Sequence, residues 1–73
     1  MAKSRQLRGV LATNVRVERA RRGWSQEELA ERAAAHRTYI GFVERAEISA
    51  TTDKIEAIAK ALAVEPWRLL KPE

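Results

Sequence analysis

Apolar positions along this chain recur at helical spacing. Leu7, Leu11 and Val15 fall every four residues, and Val10 and Val17 widen the stripe, so residues 7–22 are predicted to form an amphipathic helix. Gly23 ends it, because glycine accepts the left-handed conformation that other residues resist at a helix C-terminus. Ser25 and Glu28 have the spacing of a capping box, in which the hydroxyl takes the Glu28 amide and the Glu28 carboxylate returns to the Ser25 amide. A second helix therefore starts at Gln26, with Leu29, Ala30 and Ala33 inward. The pattern restarts at Ile40 and Val43, with Tyr39 beside them, giving a third helix over 37–45.

Only Ala34, Ala35 and His36 separate the second and third helices, and a connection that short forces a steep crossing of the helix-turn-helix kind. After a loop at "AEISA", Thr51 or Thr52 caps a fourth helix whose inward residues are Ile55, Ile58, Ala59 and Leu62. Pro66 suits the first position of a last short helix carrying Trp67, Leu69 and Leu70. No stretch alternates β-branched with polar residues, so the expected fold is all-α: a compact five-helix domain over 7–73 behind a flexible N-terminus at 1–6.

Composition narrows what such a domain can do. Seventy-three residues support one small core and no second domain. The absence of Cys removes disulfides, thiolate catalysis and Cys-based zinc sites. His36 is the only histidine and has no clustered carboxylates, so no metal site and no cofactor is expected. No paired-carboxylate pattern, nucleophile with a placed base or phosphate-cradling Gly loop is present, which argues against an enzyme. No apolar run approaches the roughly 20 residues needed to span a bilayer, and "LRGVLATNV" is too short and polar for a signal-peptide core; a cytoplasmic location is expected.

Charge is uneven. Residues 1–24 carry a net +6, with Glu18 the sole acid, against −2 for the rest of a chain that totals +4. That basic front suits a polyanion, since Lys and Arg beside phosphates release counterions, or it is a solvated face that aids solubility.

The segments "RARRGWSQEELAERAAAHRTYIGFVERAE" and "IEAIAKALAVEPWRLL" resemble the lambda-repressor-like helix-turn-helix regulators of the phage-repressor, Cro and xenobiotic-response-element (XRE) type, from about Val15 to Leu70. "HRTYIGFVER" is similar to the small controller proteins of restriction-modification systems. The resemblance implies a sequence-specific DNA-binding transcription regulator acting as a homodimer on a near-palindromic operator, with no small-molecule ligand and no membrane partner. It implies base reading by Arg37 and Thr38 at the front of the third helix, Arg presenting two donors to guanine. It implies a phosphate contact for Gln26, which is otherwise an ordinary capping-turn residue, and a salt bridge between Arg19 and Glu44.

Other side chains remain open between two roles. Phe42 shares the outward face and either touches a thymine methyl or packs on Arg45 or a neighbouring helix. The hydroxyl of Tyr39 reaches phosphate, or the ring closes the core edge. His36 stands where the family has an N-cap, and is assigned to capping or phosphate. Arg45 and Arg16 are further phosphate candidates, and Arg22 either contacts backbone or keeps the surface soluble. Val64, Trp67 and Leu70 are candidate dimer anchors, unless Trp67 and Leu70 simply close the core over Ile58 and Leu62.

The chain departs from the family pattern at Ala34, Ala46 and Ala63, where relatives usually have Gly, and at Ile48-Ser49, where they commonly have Arg-Asn. A left-handed Ala costs roughly 1–2 kcal/mol; the alternative is a shifted turn. Ile48 is a poor phosphate ligand and fits a protein interface, so the alternative function is a protein-interaction or antitoxin-like adaptor with little DNA binding.

Overall fold

The computed structural model describes residues 3–72 and contains four α-helices and a final 3-10 helix: α1 (Lys3–Arg21), α2 (Gln26–Arg32), α3 (Arg37–Glu44), α4 (Thr52–Leu62) and the 3-10 segment Pro66–Leu70. The expected fifth α-helix is thus a 3-10 helix: it spans only five residues, and the Arg68 amide bonds back three residues to the Glu65 carbonyl (3.0 Å). The first helix begins at Lys3, earlier than Leu7, so the segment expected to be flexible is helical from Lys3 onward; Met1 and Ala2 lie outside the described residues.

The caps follow from local chemistry. The hydroxyl of Ser25 accepts the Glu28 amide (3.0 Å), but the return half of the box differs from expectation. The Glu28 carboxylate instead turns to Arg32 Nε one helical turn on (2.6 Å), where an opposite charge outcompetes a neutral amide. Thr51 Oγ1 takes the Lys54 amide at the start of α4 (3.1 Å).

All four α-helices end alike. At Gly23, Ala34, Ala46 and Ala63, φ is +68°, +53°, +58° and +59°. In each case the next residue's amide reaches back five positions: Trp24 to the Arg19 carbonyl, Ala35 to Ala30, Glu47 to Phe42, Val64 to Ala59. This is the Schellman arrangement, which satisfies carbonyls that have lost their helical partners. Three of the four left-handed positions carry a Cβ, so these turns hold strain that a glycine would not.

The core is assembled from one stripe of each element. Val15, Leu29, Ile40, Val43, Ile58, Leu62 and Leu69 are essentially inaccessible to solvent, and each contributes about 1.5–3 kcal/mol on burial. Leu69, rather than Trp67 or Leu70, seals the C-terminal end; Trp67 is 57% exposed and Leu70 half-buried. Leu7, expected in the α1 stripe, is 47% exposed, and its place is taken further along by Leu11, Ala12 and Asn14. Buried Asn14 donates its amide to the carbonyls of Leu69 (2.8 Å) and Lys71 (2.9 Å), latching the last segment onto α1.

Candidate nucleic-acid interface

α3 turns Ile40, Val43 and Glu44 into the protein, which leaves Arg37, Thr38, Phe42 and Arg45 on the opposite, exposed face. His36 begins the helix: its Nδ1 accepts the Thr38 amide (3.1 Å). With Nδ1 an acceptor, the neutral ring carries its hydrogen on Nε2, so capping leaves His36 one donor for an external acceptor. Capping and phosphate contact are therefore compatible.

The two outward arginines of α3 are lightly held. Arg37 Nε lies 4.0 Å from Glu27, both side chains being more than half exposed, an arrangement worth little in water. Arg37 is free to leave for a better acceptor. Arg45 pairs with Glu47 (3.2 Å), and its guanidinium lies 5.5 Å from the Phe42 ring centroid. Phe42 thus packs on Arg45 while remaining 38% exposed, and the thymine contact stays open to it.

Beneath this face is a charged knot that joins three helices. The Glu44 carboxylate, 2% exposed, accepts Arg19 Nε (2.6 Å) and Nη2 (2.9 Å) and Gln26 Nε2 (3.0 Å). The third arm of Arg19 donates to the Trp24 carbonyl (2.8 Å). Hydrogen bonding to Glu44 raises the Arg19 pKa, burial opposing it, so the guanidinium stays charged. Gln26 therefore has one amide hydrogen committed to Glu44 and a second left for an external acceptor. Arg16 Nη1 donates to the backbone carbonyl of Glu44 (2.5 Å), which makes it a C-terminal ligand of α3 even though the residue is exposed.

Tyr39 is half-buried on the flank of α3, with the Lys54 ammonium 5.5 Å from its ring centroid. Burial raises its pKa, the neighbouring Thr51 backbone offsetting this in part. With folding penalising the phenolate, stability from this group is present below the ordinary tyrosine pKa of about 10 and is lost as pH rises through the raised value. As Tyr39 is the only tyrosine, phenolate absorbance of the native chain is expected to emerge at higher pH than that of the urea-unfolded chain; coincident titrations would contradict the burial effect.

The three candidate dimer anchors do not share one depression. Val64 and Trp67 line a cleft with Asn14, Glu18 and Arg21, whereas Leu70 lines an apolar groove with Leu7, Leu11, Ala50 and Ile55. Ile48 is half-buried against the core.

Several organising residues were not legible in advance. Arg22 bonds Glu18 (2.8 Å) and the Leu62 carbonyl, tying α1 to the end of α4. The Arg32 guanidinium lies over the Trp24 ring, 4.2 Å from the ring centroid, and nothing in the local spacing announces that pairing. Asn14 did leave a signal, as a polar residue in an apolar stripe beside Leu11 and Val15.

Comparison with known proteins agrees with this architecture. A helix-turn-helix family profile matches residues 15–66. A hypothetical transcription factor of Neisseria meningitidis is 47% identical over 66 residues, 90% of this chain and 62% of that protein. Its crystal structure superposes with a TM-score of 0.88, covering 90% of this chain and 76% of the crystallised one. Control protein C.SmaI of Serratia marcescens is 45% identical over 64 residues, 88% of this chain and 76% of that one. The restriction-modification controller protein C.AhdI of Aeromonas hydrophila is 34% identical with a TM-score of 0.82, covering 85% of this chain and 94% of that one. The chain thus spans under two thirds of the Neisseria relative and most of the two controller proteins. On the profile match, the identities and the shared backbone, this chain belongs to the helix-turn-helix family.

Proposed function

We propose that the chain is a sequence-specific DNA-binding transcription regulator. The observation that carries the reading is the exposed face of α3, where Arg37, Thr38 and Phe42 stand clear of the core on a capped, well-anchored helix. Arg37 presents a guanidinium held only by a distant, exposed carboxylate, and such a fork matches guanine O6 and N7. Gln26, His36, Tyr39 and Arg45 surround that face as phosphate contacts. Arg16 is the weakest candidate, its guanidinium being turned to the end of α3. The names of the relatives, a transcription factor and two controller proteins, support the same role. It is a role in binding, with no catalytic step and no cofactor, carried out in the cytoplasm.

A domain this small offers a modest footprint, so the working unit is a homodimer on a near-palindrome with half-sites about 34–36 Å apart. Exposed Trp67 and the apolar groove at Leu70 are the surfaces available for it.

Duplex binding measured at two ionic strengths tests the reading, because a phosphate-clamping protein weakens steeply as salt rises. Arg37→Ala is expected to relax base preference at one position of the site, and Gln26→Ala to weaken all sequences evenly. If the wild-type chain binds no duplex at low salt, the helix-turn-helix here serves protein interaction instead.

A further inference from the structure

We propose that Lys54 is a phosphate ligand of the DNA backbone, flanking α3 on the side opposite Gln26. The inference rests on the DNA-binding reading above. Successive helical residues turn by about 100°, which places Arg37 and Tyr39 on opposite edges of the face centred on Thr38. On the Arg37 edge stand Glu27 and the Gln26–Glu44 contact. On the Tyr39 edge stands Lys54. A helix about 10–12 Å across fills a major groove about 12 Å wide, so each of its edges runs beside one phosphate strand.

The Tyr39 edge has few other cations to offer. Ile48 is half-buried against the core and Ser49 is neutral. Arg45 at the end of α3 is paired with Glu47. Lys54 is different: no carboxylate among the described residues pairs with it, although exposed Asp53 precedes it in the chain. Its position is nonetheless defined. The Lys54 amide is bound by Thr51 Oγ1 (3.1 Å), and its ammonium lies 5.5 Å from the centroid of the Tyr39 ring. Thr51, Lys54 and Tyr39 thus form one unit, which holds an uncommitted cation beside a phenol whose proton is still available to donate. A phosphate oxygen reaching this edge meets both donors, and Lys54 supplies the charge that positions 48 and 49 lack.

The test is the salt dependence of binding to random-sequence duplex, compared for wild type, Lys54→Met and Lys60→Met. The Met side chain keeps an apolar stem over Tyr39 and removes only the charge. Lys60 is the control cation, on the same helix but lining the cleft with Arg32, Ala34 and Ala61. Lys54→Met is expected to lower the slope of log affinity against log salt by about 0.9, with base preference unchanged, and Lys60→Met to leave the slope at the wild-type value. Equal slopes for Lys54→Met and wild type, or equal losses for the two variants, would overturn the assignment. A wild-type chain that binds no duplex would instead remove the DNA-binding reading on which it rests.

Discussion

Glu44→Ala is expected to destabilise the domain by about 3–5 kcal/mol, because it strands the Arg19 guanidinium in a partly buried position without its carboxylate. Small domains are stable by only about 5–15 kcal/mol in total, so the loss is a large fraction of the whole. Urea unfolding followed by circular dichroism measures it. The cost arises from the unpaired partner rather than from the worth of the pair, which gives a second, sharper expectation. Arg19→Met combined with Glu44→Leu removes both charges and should recover much of the loss, since replacing a buried pair with apolar groups is often close to neutral. Recovery will be incomplete, because Gln26 and the Trp24 carbonyl lose partners as well. A Glu44→Ala protein within about 0.5 kcal/mol of wild type would show that the knot does not hold α1, α2 and α3 together.

Replacing Ala34, Ala46 and Ala63 together by Gly should stabilise the chain by about 2–3 kcal/mol. Each residue sits at a φ between +53° and +59°, where a Cβ costs roughly 1–2 kcal/mol. Glycine removes that strain but gives the unfolded chain more freedom, which takes back about 0.4–1 kcal/mol at each site. The three sites terminate different helices, so their effects should nearly add. Thermal unfolding of the single and triple variants decides it: no rise in Tm would mean that these turns carry no strain. Gln26→Ala offers a useful contrast, since it touches the Glu44 knot and leaves the turns alone.

Helices whose apolar period is regular were legible from sequence, as was the cap at Ser25, because these depend on residues close along the chain; the caps at His36 and Thr51 were each legible as one of two alternatives. The left-handed turns were legible only as a fork between strained Ala and shifted turn, since the outcome is decided by whether packing of α2, α3 and α4 repays the strain. The last segment differs in kind from its expected helix because five residues leave too little room for an α-helical ladder, and the side chain that seals the core there is Leu69 rather than its neighbours. In the interface, Arg37 and Thr38 follow from the resemblance to the helix-turn-helix family, and helical phase adds Phe42 to the face that Thr38 occupies. The Gln26–Glu44 contact and the Lys54–Tyr39 stack could not be read from the sequence, because each joins helices whose relative placement no local pattern specifies.

The Asn14 amide spans more than fifty residues to find its acceptors at Leu69 and Lys71. During synthesis, α1 leaves the ribosome before those carbonyls exist, so the Asn14 amide stays hydrated and can be buried with its partners only once the closing segment has been made. The fold is thereby completed late and as a unit, and a chain stopped short of Arg68 would keep its helical tendencies yet lack the clasp that makes them one cooperative body.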